Sequence, residues 1–338
     1  MRVKSASVVV WSVTLVSILS GCGGAGVPRV APLRPTIDQL TESRGDVARL
    51  ADSASAGFQE RSWILPEARS MSVLYVTDVR NVTLYSYPGG KLEGSLHHFY
   101  IANGECVDKR GDVFVVDLGY GKIFEYVHGG TKRIATLDSP SPDPSGCSID
   151  PTTGDLAVST LGFGSNATVA IFHHARGTPK TYKSSAFESY WFCGYDDHGN
   201  LFVDGLAYPG GTGDFAFAEL PKGKDALKTI TLDQYIGWPG GVQWDGKYVV
   251  VGDQYAPVVY QFSITGSKGT EVSTTTLGGD AYDVAQFYIS GRKLVTPNQL
   301  GGSKADVLVY KYPRGGSPTK TITDGVRAAH GAVISVAQ

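Results

Sequence analysis

Two sets of side chains in this sequence have the chemistry to hold a ligand. The first comprises Asn103, Glu105 and Ser145, the aromatics Tyr190, Trp191 and Trp238, and the titratable pair Asp283 and His330. The second comprises Asp78, Asp117, Asp204, Asp253 and Asn298. Carboxylate and amide oxygens suit a hard divalent cation such as Ca2+, and aromatic rings with a few polar groups suit a small polar ligand. Each aspartate also has an ordinary use, because its oxygens accept backbone N–H bonds in turns. The histidines stand at 97, 98, 128, 173, 174, 198 and 330. Neighbours along a strand point to opposite faces, so neither His97–His98 nor His173–His174 is expected to act as a ligand pair. No nucleophile elbow, phosphate loop or His-Glu-x-x-His motif occurs, and no Cys-x-x-Cys indicates zinc or haem.

These residues are ordered by a repeat. Gly104-Glu105-Cys106-Val107-Asp108 is followed by Gly111-Asp112-Val113-Phe114-Val115, and the phrase returns from Gly146, Phe192, Gly241 and Ala285. The turn glycines are Gly111, Gly154, Gly199, Gly246 and Gly291, each placed where a hairpin needs positive φ. A third β-prone run follows in every unit, as in Ile123–Val127 and Val307–Lys311. Four strands in roughly 45 residues is the arithmetic of a propeller blade. Val73–Val76 with Val82–Tyr87 supplies an earlier unit, so the chain is read as an all-β, six-bladed β-propeller of four-stranded blades over residues 58–338. Gly331–Val336 reads as a first strand with no blade after it, which closes the ring onto Val73–Val76. Arg61–Leu65 is the competing candidate for that position.

The phrase Gly-x-x-x-Asp, turn, Gly-Asn/Asp-apolar-apolar-Val resembles the NHL-type repeat, and more loosely gluconolactonase-like and streptogramin lyase-like propellers. The resemblance implies that first strands line a central channel. It also implies that one face gathers first-strand starts and second-strand ends, where both sets of candidates fall. Asn103-Gly104 is similar to the Asn-Gly of the gluconolactonase-like metal site, and Asp283 to its aspartate. The matching glutamate has no counterpart in Arg61–Leu65. Of the histidines only His330 falls at this mouth.

Residues 1–21 combine Arg2 and Lys4 with an apolar run over Val8–Leu19, too short for an ordinary membrane span. Leu19-Ser20-Gly21-Cys22 resembles the lipobox of bacterial lipoproteins, which implies cleavage before Cys22 and lipidation of its thiol. Residues 22–57, rich in Gly and Pro, read as a tether. The implied address is the cell envelope, and the outer membrane in a cell that has one, because Gly23 replaces the retention aspartate. Export permits disulfides. Cys106, Cys147 and Cys193 lie on consecutive first strands, and both a Cys147–Cys193 bridge and three buried thiols are compatible with the spacing.

The composition agrees with this architecture. The chain has 338 residues, 43 of them Gly, 18% charged residues and a net charge of -2. That excludes a coiled coil and lacks the basic excess of a nucleic-acid binder. The expected function is a monomeric, non-catalytic binding or scaffold module, held at a membrane by lipid, that takes a protein or small polar ligand at the channel face. The alternative is a metal-dependent lactonase or lyase at the same mouth.

Overall fold

The computed structural model describes residues 60–162, 166–207, 214–298 and 305–338. The signal, the tether and Cys22 lie outside the described residues. Six sheets follow one another along the chain, antiparallel throughout except for one parallel edge pair, Thr231–Leu232 against Lys268–Gly269, in the fifth. The first holds β1 (Trp63–Ile64), β2 (Val73–Asp78), β3 (Asn81–Ser86) and β4 (Leu92–Leu96); the second β5 (Ala102–Val107), β6 (Val113–Asp117), β7 (Lys122–Tyr126) and β8 (Arg133–Asp138). The third runs β9 (Pro144–Ile149), β10 (Leu156–Thr160), β11 (Val169–Phe172) and β12 (Lys180–Tyr182), and the fourth β13 (Phe187–Tyr195), β14 (Leu201–Ala207), β15 (Phe215–Leu220) and β16 (Lys228–Thr229). The fifth contains β17 (Thr231–Leu232), β18 (Pro239–Trp244), β19 (Val249–Asp253), β20 (Val258–Thr265) and β21 (Lys268–Thr276). The sixth contains β22 (Tyr288–Ser290), β23 (Lys293–Asn298), β24 (Asp306–Lys311) and β25 (Lys320–Ile322), and β26 (Ala329–Ser335) ends the series. First strands of successive blades touch around a channel, and β26 touches both β5 and β22. The fold is a six-bladed β-propeller.

The closure is resolved by register. β26 is the innermost strand of blade one, pairing Tyr75 with Val333 and Val73 with Ser335. The competing segment is also in that sheet, at its far edge, where Trp63 and Ile64 pair with Ser95 and Gly94 of β4. Gly94 permits this, because a Cβ there would come within 2.6 Å of the Trp63 carbonyl oxygen. The expected hairpin glycines 111, 154, 199, 246 and 291 all have positive φ, between 56° and 95°.

Alternation along the strands decides which seam each side chain fills. Val73 and Tyr75 pack with Val113, Val115 and Phe124 of blade two. Leu74 and Val76 point the other way and pack with Val295, Val307 and Val309 of blade six. Burial on both faces explains the near-continuous apolar runs of the second strands. Six clusters result, one for each blade-to-blade seam, and the closing seam is built like the other five. Among the described residues no helix is long and apolar enough to cross a membrane.

Candidate ligand site in the central channel

Aligning first strands on the aspartate that ends four of them, and on Ile289 in blade six, gives two columns of residues along the channel wall. One position before it stand Val107, Ile149, Tyr195, Trp244 and, in blade six, Tyr288; three positions before it stand Glu105, Cys147, Cys193, Val242 and Gln286. All ten line one cavity of about 370 Å3. The period of two follows from strand geometry. Pro151, Asp196 and Asp197, in the hairpins joining first to second strands, complete the rim.

The cavity is therefore reached from the end opposite to the mouth expected from the sequence. Of the seven candidates Asn103, Glu105, Tyr190, Trp191, Trp238, Asp283 and His330, only Glu105 lines it. The others are committed elsewhere. The Asn103 amide donates to the Ser145 carbonyl and hydroxyl in the next blade, both at 3.2 Å. Tyr190 stacks on Phe187 in the seam between blades three and four, and its hydroxyl accepts from the Ser184 amide. Trp191 and Trp238 meet edge to face, and Trp238 stacks on Tyr255. Asp283 is buried. Burial drives the His330 pKa down to about 4, so its imidazole is neutral near pH 7.

The strand-end carboxylates have a structural use that recurs around the ring. Asp78 accepts from the amides of Arg327 and Ala328, Asp117 from Tyr100, Ile101 and Tyr120, and Asp253 from Gly237, Trp238 and Tyr255. Asp204 accepts from Phe192, and Asn298 from Tyr282. Each reaches back to the segment entering the first strand of its own blade. Blade three places Thr160 there, whose hydroxyl accepts from the Thr168 amide.

Glu105 differs from these carboxylates. It is 1% exposed, and neither carboxyl oxygen accepts a hydrogen bond of good geometry, as is also true of Asp204 Oδ2. Burial raises its pKa well above the usual carboxylate range, and the backbone amides of Thr77 and Val333 oppose that only in part. Burial thus favours the protonated form, which can donate one hydrogen bond and accept another. Its backbone is clamped instead. The Gln286 side chain accepts from the Glu105 amide at 2.9 Å and donates to the Glu105 carbonyl. Gln286 belongs to blade six and Glu105 to blade two, so this amide passes over blade one. Gly331 makes the passage possible, because a Cβ there would lie 2.6 Å from the Gln286 side-chain oxygen. The Trp244 indole N–H is also buried without a partner.

The wall beside Glu105 carries a disulfide that the sequence did not single out. Cys106 is joined to Cys147 with Cα atoms 5.7 Å apart, and Cys193 is a buried free thiol. A Cys147–Cys193 bridge is excluded by their shared phase. Both sulfurs turn toward the preceding blade, near the carbonyls of Phe114 and Ala157 respectively. Cys147 meets Cys106 there, whereas the position that Cys193 would meet is Ser148. Burial pushes the Cys193 thiol up to about 12, so it is not a nucleophile.

No family model matches this chain, and no curated protein matches it. Solved structures share the fold. A chain from the crystal structure of the nidogen/laminin complex superimposes with a TM-score of 0.63 at 12% identity, covering 79% of this chain and 99% of that one. A protein of unknown function from Bacteroides caccae gives a TM-score of 0.61 at 13% identity, with the same coverage of 79% and 99%. These similarities show the propeller fold alone.

Proposed function

We propose that this chain is an exported lipoprotein, anchored through Cys22, whose propeller binds a small ligand in the central channel without transforming it. The observation that carries the ligand site is Glu105: a fully buried acid, only weakly served by the Thr77 and Val333 amides, in the wall of a cavity about 370 Å3 in volume. An unpaired buried polar group is costly, and a ligand that bonds to it removes that cost. The mostly apolar walls and the acid suit a compact molecule with an apolar body and an amine, amide or alcohol head. The NHL-like repeat supports a binding role, and a neighbour of the same fold comes from a protein complex. A propeller fold by itself is compatible with many activities.

A ligand-observed NMR screen of small apolar amines, amides and alcohols tests the site. Hits on the wild-type protein should vanish with Glu105→Ala; hits indifferent to that substitution would refute the assignment. Anchoring is tested separately by labelled palmitate, whose incorporation should be lost in Cys22→Ala.

A further inference from the structure

A second site lies on the hairpin face of blade three, apart from the channel. The register of β10 and β11 pairs Leu156 with Phe172, which sets Asp155 opposite His173, one step beyond the sheet. The chain does not continue as a strand there. His173–Ala175 forms a 3-10 turn, with His174 at φ 48° and ψ 35° and Ala175 also at positive φ. This overturns the expectation that the adjacent histidines face opposite ways. The turn brings the two imidazoles together, with ring centroids 3.9 Å apart. One potential ligand atom from each of Asp155, His173 and His174 lies within 4.8 Å of the other two.

The hydrogen bonds around these rings define the donors. His174 Nδ1 lies 2.8 Å from the Thr153 carbonyl oxygen, which can only accept, so Nδ1 carries a proton and Nε2 is left as the ligand atom of that ring. Anchoring the distal ring nitrogen on a carbonyl in this way is how metal-binding histidines are oriented. His173 Nδ1 lies 3.0 Å from Asp155 Oδ1, close to the spacing of two ligands on one ion, so a metal would take the place of the proton these two atoms share. Asp155 Oδ1 also accepts from the His174 amide, which holds the carboxylate in place.

We infer that Asp155, His173 and His174 form a binding site for a first-row transition-metal dication of the Zn2+ class. Two imidazoles and one carboxylate favour such an ion over Ca2+ or Mg2+, which prefer all-oxygen shells. Bonds of about 2.0–2.1 Å need donors roughly 3.3 Å apart, a small closure for two exposed rings. Three protein donors leave a fourth position for water or a group from another molecule. A nearby cluster, Asp196, Asp197 and His198, offers one imidazole only, and Asp196 is already used by the amides of His198 and Asn200.

Equilibrium dialysis of the chelator-stripped full-length protein against Zn2+ tests the inference. One ion per chain should bind, and His173→Ala or His174→Ala should each weaken it by about tenfold or more. His198→Ala should leave it unchanged. Circular dichroism of all variants controls for folding. No bound zinc, retained affinity in both histidine variants, or equal loss in His198→Ala would each overturn the site.

Discussion

At the scale of single residues, carboxylates of similar appearance in the sequence do two different jobs. Asp117 serves three backbone amides, so Asp117→Ala leaves three partly buried donors unpaired. The expected cost is about 3 kcal/mol, measured as a shift in denaturant midpoint, and Asp117→Asn should cost less than half of that because one acceptor oxygen remains. Glu105 serves none with good geometry. Its folded-state pKa is raised above the unfolded value near 4.3, so it destabilises the fold progressively as pH rises from that value through the folded pKa. Glu105→Gln should therefore gain stability over the wild type with rising pH, by at most about 1.4 kcal/mol per pH unit, read from chemical unfolding between pH 5 and 9. A difference independent of pH would contradict a raised Glu105 pKa. The sequence showed Asp117 and Glu105 as equivalent candidates because both lie near the same strand ends. Which amides lie within reach depends on how one blade meets the next, and no local pattern encodes that.

At the scale of elements, the repeat alignment was nearly sufficient. The hairpin glycines, the third strands and the inward columns all follow from a period of about 45 residues. The column Val107, Ile149, Tyr195, Trp244, Tyr288 is legible as channel lining from the repeat and the two-residue strand period alone. What the alignment did not reveal was the stagger between neighbouring first strands, which pairs position two of one blade with position three of the next. Cys106 and Cys147 occupy those positions across the first such seam, and Ser148 and Cys193 occupy them across the second. Ser148→Cys should accordingly form a second bridge with Cys193. The propeller would then show no titratable thiol after denaturation, where the wild-type propeller shows one. Removing the existing bridge, which spans a separation of 41 residues, should cost about 2–4 kcal/mol, seen as a lower unfolding midpoint in reductant or in Cys106→Ser.

At the scale of the molecule, six similar seams share the burial and one strand completes the circle. Ending the chain before Ala329 would uncover β2 and open two seams at once, leaving an unpaired edge. Such a chain should be recovered as aggregate, whereas removing residues 60–65, which only cover the outer edge of blade one, should lower the melting temperature by a few degrees. Light scattering and thermal unfolding distinguish these outcomes. The joining of β26 to β2 also imposes an order in time. Residues 73–78 are synthesised roughly 250 residues before their partner, so blade one must wait, incomplete, until all the other blades have been made. A polypeptide that cannot shut its ring early keeps its first blade open for longer, which makes its last strand the step that commits it to the folded state.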